Sequence, residues 1–110
     1  MVAGWPKTYY ACIFTSQRTD VEHDLYYYTS SQMVTLAQSQ PGFLGVETVR
    51  EEGGLGITVS YWTDRDAIKA WSEHAEHKIA KQLGKTDFYS WYQIRIAKVE
   101  SENGFGLDEL

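Results

Sequence analysis

The stretch ITVSYWTDRDAIKAWSEHAEHKIAKQLGKTDFYSWYQIRIAKV, residues 57–99, decides the fold. It begins with a β-branched, apolar run typical of a strand, continues into a helical pattern, and ends in an aromatic strand-like run. Tryptophan and histidine are concentrated between the two strands, which is more typical of a lined pocket than of a plain core. The stretch contains no credible metal set, phosphate loop or nucleophile elbow, so its chemistry would depend on aromatic walls and imidazoles.

The rest of the chain extends this pattern on both sides. Apolar periodicity, with Pro41-Gly42 and the E-E-G-G run as breakers, sets the boundaries. We expect the second helix to break near residues 73–75 and a short continuation to end at Gly84. The predicted elements are an N-terminal arm (1–6), strand 7–16, helix 20–39, strand 43–50, turn 51–54, strand 55–62, a helix from about residue 64, strand 87–100 and a C-terminal tail (101–110).

This order is β-α-β-β-α-β, which predicts an α+β fold of the ferredoxin-like, split βαβ type with an antiparallel sheet. At 110 residues, we expect a single domain over 1–110. In the first strand, Tyr9 and Ile13 alternate with Cys12 and Phe14, so both faces of the sheet carry apolar side chains. Two helices cover only one face. A second copy of the chain is the simplest cover for the other, which predicts a homodimer.

Composition and charge exclude several classes of partner. The net charge is −5, which disfavours nucleic acids and anionic membrane surfaces. No apolar run is long enough to span a membrane, and no signal peptide is evident. The single Cys12 fits a reducing compartment, so we expect a cytoplasmic protein. The aromatic fraction of 15% is high, and tyrosine and tryptophan suit pockets and interfaces.

Four motifs together resemble a known family. They are Q-P-G-F-L-G-V-E (40–47), S-Y-W-T-D-R-D-A-I-K-A-W (60–71), H-A-E-H (74–77) and W-Y-Q-I-R-I-A-K-V (91–99). In this order and spacing they are similar to the antibiotic biosynthesis monooxygenase family. The resemblance implies a dimeric α+β barrel. It also implies one of several activities: oxidation of aromatic phenols to quinones without metal or flavin, haem degradation, or action on other small molecules.

The resemblance carries over to only some positions. Trp62 matches a tryptophan common in the family, and His77 matches a common histidine. Trp71 stands where many members have histidine, which departs from the pattern. In the haem-degrading branch a tryptophan precedes the ligand histidine by ten residues, but here Lys81 follows Trp71 at that spacing. Haem is therefore the less favoured ligand, and we expect no cofactor.

His74 and His77 are the candidate bases. They are three residues apart, so they would share one helical face if the helix were continuous there. Imidazole titrates near neutral pH, so either could accept a phenol proton. A metal site would need further ligands that the sequence does not supply. The alternative is a solvated histidine pair on a charged helix.

The candidate substrate-binding residues are aromatic. Trp62, Trp71 and Trp91 could form the walls of a pocket for a flat apolar ligand, and Tyr61 could hydrogen-bond to a substrate oxygen. The alternative for the tryptophans is a large-residue core, and for Tyr61 a strand surface. The sequence thus predicts a cofactor-independent monooxygenase acting on a phenol- or quinol-like molecule. A non-catalytic small-molecule-binding protein and a haem-binding relative are the alternatives.

Overall fold

The computed structural model describes residues 4–21, 23–82 and 88–106, with residues 23 and 76–82 described by their backbone only. The elements follow the order β-α-β-β-α-β, as predicted. In chain order they are β1 (Tyr9–Arg18), α1 (His23–Gln38), β2 (Phe43–Arg50), β3 (Leu55–Trp62), α2 (Arg65–Gln82) and β4 (Tyr89–Val99).

Two details of the sequence interpretation are wrong. Helix α2 is continuous from Arg65 to Gln82, so the predicted break near residues 73–75 does not occur. The run there contains alanine and glutamate, which are good helix formers, and no proline or glycine. The predicted end of a second short helix at Gly84 lies outside the described residues. Strand β1 also runs two residues later at both ends than predicted.

The strands form one antiparallel sheet in the order β2-β3-β1-β4. This is the strand order of the split βαβ arrangement, which confirms the predicted fold class. Strand β1 lies in the middle and pairs with β3 on one side and β4 on the other. Cys12 lies opposite both Ser60 and Ile96, so these three residues lie in one row across the sheet.

The core lies between the sheet and the helices. Trp62 and Ile68 are almost completely buried, and Ala37 of α1 packs with them. Trp62 donates its indole N–H to Ser60 Oγ at 2.9 Å, which satisfies the polar atom of a fully buried ring. Its ring also meets Phe43 edge to face at 5.4 Å. Trp62 is therefore first of all a core residue that joins β3 to both helices.

A close backbone approach joins the start of β2 to the start of α2. Gly42 has a φ of +85°, and a Cβ there would lie 2.7 Å from both Ala67 Cβ and Thr63 Oγ1. The Thr63 amide donates to the Gly42 carbonyl at 2.8 Å. Helix α2 is capped by Asp64, whose Oδ1 accepts from the Ala67 amide at 2.8 Å.

The second face of the sheet carries exposed apolar side chains. Val49 is 74% exposed, and Ile57 and Trp91 are each nearly half exposed. The strand register places all three on the face opposite Cys12 and Phe14. The prediction of a sheet with two apolar faces is therefore confirmed. We call this surface the open face.

Residues from both ends of the described chain pack on one end of the open face. The Trp5 ring meets Tyr9 edge to face at 5.2 Å and lies 5.5 Å from the Tyr61 ring. Tyr9 donates its hydroxyl to a carboxylate oxygen of Glu102. Tyr61 donates to Glu47 at 2.6 Å. The hydrogen bond to Glu102 and partial burial raise the pKa of Tyr9 to about 12.

These hydrogen bonds make stability depend on pH in the alkaline range. The folded state raises the pKa of Tyr9 from 10.0 to about 12, so the neutral hydroxyl is favoured by folding. That contribution is complete below pH 10 and is lost as the pH rises towards 12. We expect the free energy of unfolding, measured with urea at pH 9 and pH 11.5, to fall less in Tyr9→Phe than in the wild type. Tyr27→Phe, which removes an exposed hydroxyl on α1, is the control, and equal pH dependence in all three proteins would refute the interpretation.

Candidate functional site

A cavity of about 330 Å³ lies between the helices and the sheet face that carries Cys12 and Phe14. Its volume is within the range of small-molecule sites. The lining is largely apolar and aromatic, with hydroxyl groups as its main polar atoms. The lining residues are Cys12, Phe14, Tyr26, Thr29, Ser30, Met33, Val34, Ala37, Phe43, Val46, Thr48, Thr58, Ser60, Trp71, Ser72, Ala75, Phe88, Tyr89, Tyr92 and Ile94.

Small residues line the cavity from both helices and from the sheet. Ala37 belongs to α1, Ala75 to α2, and Thr58 and Ser60 to β3. Side chains of this size cannot fill the space between a helix and a sheet. The larger rings stand around the space and enclose it, which is the arrangement of a binding site for a flat molecule.

One end of the cavity is formed by tryptophan. Trp71 lines it, and its ring stacks on the buried Trp62 at a centroid distance of 6.0 Å and an interplanar angle of 26°. His74 lies next to Trp71, with 6.0 Å between the ring centroids. The side chain of His74 is exposed and is not among the lining residues. Trp71 therefore separates His74 from the cavity.

The other predicted binding residues lie on the opposite side of the sheet. Trp91 is paired with Gln17, and Tyr61 with Ala11, and both point to the open face. The structure therefore does not bring Trp91 and Tyr61 together with Trp71 around one cavity. The reason is the two-residue alternation of a strand, which places Tyr92 in the lining and Trp91 behind it. A substrate-binding role for either residue stays a prediction.

Of the two candidate bases, the structure describes the side chain of His74 only. His77 belongs to α2, but its side chain lies outside the described residues, so its role as a base stays a prediction. Among the described residues there is no group of three or more metal-binding side chains. No helix in the described part of the chain is long and apolar enough to cross a membrane.

The opposite end of the cavity is lined by Tyr26 and Tyr89, and two arginines lie behind these rings. The hydroxyls of Tyr26 and Tyr89 lie 3.5 Å apart. The Arg18 guanidinium stacks on the Tyr26 ring, with its Cζ 3.9 Å from the centroid. The Arg50 Cζ lies 5.7 Å from the Tyr26 ring and 5.8 Å from the Tyr89 ring. Two guanidinium groups therefore lie behind the aromatic wall at this end, each within cation–π distance of a tyrosine ring.

Burial controls the protonation of two lining groups. It raises the pKa of the Cys12 thiol, although a hydrogen bond with Ser60 opposes the change. The thiol is therefore neutral near pH 7 and is not an activated nucleophile. Burial and then the hydrogen bond with Tyr26 raise the pKa of Tyr89. Tyr89 therefore stays a hydroxyl donor over the physiological range.

Sequence reasoning missed most of this lining. Tyr26, Phe88 and Tyr89 form one wall with Phe14, and none of the four was predicted as a site residue, although Phe88 and Tyr89 belong to the aromatic run that ends the stretch 57–99. The strand alternation already places Phe14 on the same face as Cys12, so a signal existed for that residue. Nothing in the sequence pattern indicates that Arg18 lies against Tyr26, because the two residues belong to different elements.

Comparison with known proteins settles the family. A sequence model described as antibiotic biosynthesis monooxygenase matches residues 24–83, more than half of the chain. The chain belongs to this family. An uncharacterized protein of Bacillus subtilis (strain 168), YqjZ, is 51% identical over 98 residues, covering 88% of this chain and 84% of that protein.

Solved structures agree with the fold of this family member. A putative antibiotic biosynthesis monooxygenase from Bacteroides thetaiotaomicron VPI-5482 matches with a TM-score of 0.66 and 14% identity, covering 82% of this chain and 87% of that one. A point mutant of MhuD, with two manganese protoporphyrin IX bound per active site, matches with a TM-score of 0.67 and 15% identity. The match covers 87% of this chain and 99% of that one. At such identities the likeness concerns the fold alone.

Filling the cavity should weaken binding there without unfolding the protein. Ala75→Phe places a ring in the cavity from α2, whereas Ala70→Phe places the same ring on the exposed side of that helix. We expect Ala75→Phe to bind the neutral two-ring probe 2-naphthamide about tenfold more weakly than the wild type, the effect of losing ~1.4 kcal/mol. Ala70→Phe should bind it normally. Equal binding by all three proteins in titration calorimetry would show that the probe binds elsewhere.

Proposed function

We propose that this member of the antibiotic biosynthesis monooxygenase family is a cofactor-independent oxygenase that acts on a small phenol- or quinol-like aromatic molecule bound in the cavity. The observation that supports it best is the cavity itself, which is apolar, bounded by aromatic rings and lined by hydroxyls. Such walls orient a flat ring and exclude water. The hydroxyls can hydrogen-bond to the substrate oxygen without carrying charge.

The reaction that fits this site oxidises an activated ring carbon. A base removes a proton from a methylene group conjugated with a phenol, and the carbanion gives an electron to dioxygen. The two radicals combine into a carbon-bound peroxide. Loss of the second C–H proton and cleavage of the O–O bond then form a carbonyl group and release water. In sum, one methylene group and one molecule of dioxygen give one carbonyl group and one water, and dioxygen accepts four electrons from the substrate.

The base in this scheme is His77 or His74. Both belong to α2, the helix that supplies Trp71 and Ala75 to the cavity. The His74 side chain contacts Trp71 but does not line the cavity, so a role as the base requires it to move past that ring. Trp71 is proposed to hold the substrate ring at this end, while Trp62, which is buried and does not line the cavity, supports the Trp71 ring from behind. Trp91 and Tyr61 could take part only where a ligand or a second subunit meets the open face.

Haem is the second ligand to consider, because MhuD binds a porphyrin. No histidine occurs among the described residues that line the cavity. The buried Cys12 thiol, whose pKa is raised, is a poor anionic ligand. The described lining therefore fits an organic ring better than a haem iron. Titration with hemin tests this directly, since a shifted Soret band at one equivalent would favour the haem-binding alternative.

Oxygen uptake tests the proposed activity. With anthrone and its dihydroxy derivative dithranol as probe substrates, each with the required methylene group, we expect turnover by the wild type and a loss of roughly 100-fold in His77→Ala, the usual contribution of a general base. The same loss in His74→Ala instead would assign the role of base to His74. His23→Ala on α1 is the control and should keep wild-type turnover. Unchanged turnover in both α2 variants would rule out the histidine mechanism. Binding of both probes without oxygen uptake would favour a non-catalytic binding protein.

The proposed active form is a homodimer joined through the open face. Its support is the group of exposed apolar residues there, of which Val49, Ile57 and Trp91 are prominent. A second copy of the same face would remove them from water on both subunits.

A buried charge should break such a dimer. We expect light scattering to give twice the monomer mass of 12.6 kDa for the wild type and the monomer mass for Ile57→Glu. Ala70→Glu adds the same charge on the exposed side of α2 and should leave the dimer intact. A monomeric wild type at micromolar concentration would refute this arrangement.

A further inference from the structure

Arg50 is a cation held in a fixed position near the tyrosine end of the cavity. Its Nη1 donates to the Gly54 carbonyl at 2.6 Å and to the Ser16 carbonyl at 3.2 Å, and its Nη2 donates to Ser16 Oγ at 2.7 Å. Gly56 leaves the space for it, because a Cβ there would lie 2.6 Å from the Arg50 Cζ. Strand residues therefore fix the guanidinium rather than leaving it mobile in solvent.

The partners of Arg50 are all neutral. The three acceptors are two carbonyls and a hydroxyl, and no carboxylate of the described residues is bonded to this guanidinium. Its positive charge is therefore not compensated by an ion pair in this part of the chain. The nearby rings of Tyr26 and Tyr89, at 5.7 and 5.8 Å, separate it from the cavity. Through them its field reaches the cavity at low dielectric.

The two tyrosines also leave a hydrogen-bond donor available. Tyr26 is 7% exposed, and its hydroxyl lies 3.5 Å from that of Tyr89. Two hydroxyls that share one hydrogen bond use only one of their two hydrogens. No described residue accepts the second hydrogen, and both side chains line the cavity. A ligand oxygen in the cavity could accept this second hydrogen.

We propose that the tyrosine end of the cavity is a subsite for an anionic oxygen, so that the substrate is an acidic aromatic molecule, a phenolate or an aryl carboxylate. The oxygen accepts a hydrogen bond from the Tyr26–Tyr89 pair and is stabilised by the charge of Arg50 behind it. This inference rests on the proposed function, since it concerns the same cavity. It fixes the substrate's orientation, with the acidic oxygen at Tyr89 and the ring extending towards Trp71.

A matched pair of probes separates charge from shape. 2-Naphthoate and 2-naphthamide have the same rings and nearly the same size, but only the first is anionic. We expect the wild type to bind 2-naphthoate about tenfold more tightly, as two opposite charges roughly 10 Å apart at an effective dielectric constant near 20 would allow. The ratio of the two dissociation constants, from titration calorimetry at low salt, is the measured quantity.

Variants assign this preference to Arg50. Arg50→Met should lower the ratio severalfold, with Arg18 on the Tyr26 ring still present, and Arg50→Lys should restore part of the preference. Arg95→Gln removes the same charge from the open face, where Arg95 donates to Gln93, and should keep the wild-type ratio. Tyr89→Phe should reduce the ratio through loss of a donor. Because both probes report on the same folded fraction, the ratio remains interpretable if a variant is partly unfolded.

The outcomes distinguish this inference from the proposed function. Equal binding of the two probes by the wild type would overturn the anionic subsite and leave the aromatic cavity supported. A preference for 2-naphthoate that is as large in Arg50→Met and Tyr89→Phe as in the wild type would also overturn it. Absence of binding by either probe would overturn the cavity and the subsite together.

Discussion

Two helices can cover only one face of a four-stranded sheet, and both faces of this sheet are apolar. This constraint determines the rest of the molecule. On the covered face, Trp62 and Ile68 anchor α2 to β3 and leave a space beside them that is bounded by rings. On the open face, Ile57 and Trp91 remain exposed to solvent. The covered face contains the candidate site, and the exposed apolar side chains of the open face support the proposal of a partner subunit.

The covered face is asymmetric along its length. At one end Trp71 stacks on Trp62, and His74 lies on the far side of Trp71. At the other end the cavity meets Tyr26 and Tyr89, with arginine behind them. An aromatic molecule in this space therefore meets a tryptophan at one end and tyrosine hydroxyls at the other. That difference would give a bound ring one preferred direction, which catalysis on a single ring carbon requires.

Much of the fold could be predicted from the sequence. Glycine-bounded, β-branched runs gave β2 and β3 their boundaries, and the alternation of Tyr9 with Cys12 predicted the two apolar faces. The predicted helix break near residues 73–75 was wrong because the run there contains glutamate and alanine, which are good helix formers, and neither proline nor glycine.

The site was less predictable, for a physical reason. Trp71 was identified because it is adjacent in sequence to the histidines. Tyr89 and Arg50 were not identified, because they are far apart in the sequence. They come close only when β4 pairs with β1 and the turn between β2 and β3 brings Arg50 beside β1. Trp91 and Tyr92 are neighbours in sequence but belong to opposite faces, so an aromatic run in a strand contributes only half of its rings to any one pocket.

The contact of Trp5 and Glu102 with Tyr9 has a practical consequence. Both lie at the same end of the open face, Trp5 directly against Tyr9 and Tyr61. Any polypeptide that precedes Trp5 or follows Glu102 therefore leaves the fold beside the surface proposed to pair. Purification tags and fusion partners attached on either side would compete for that surface by their bulk, and oligomeric mass is best measured after their removal.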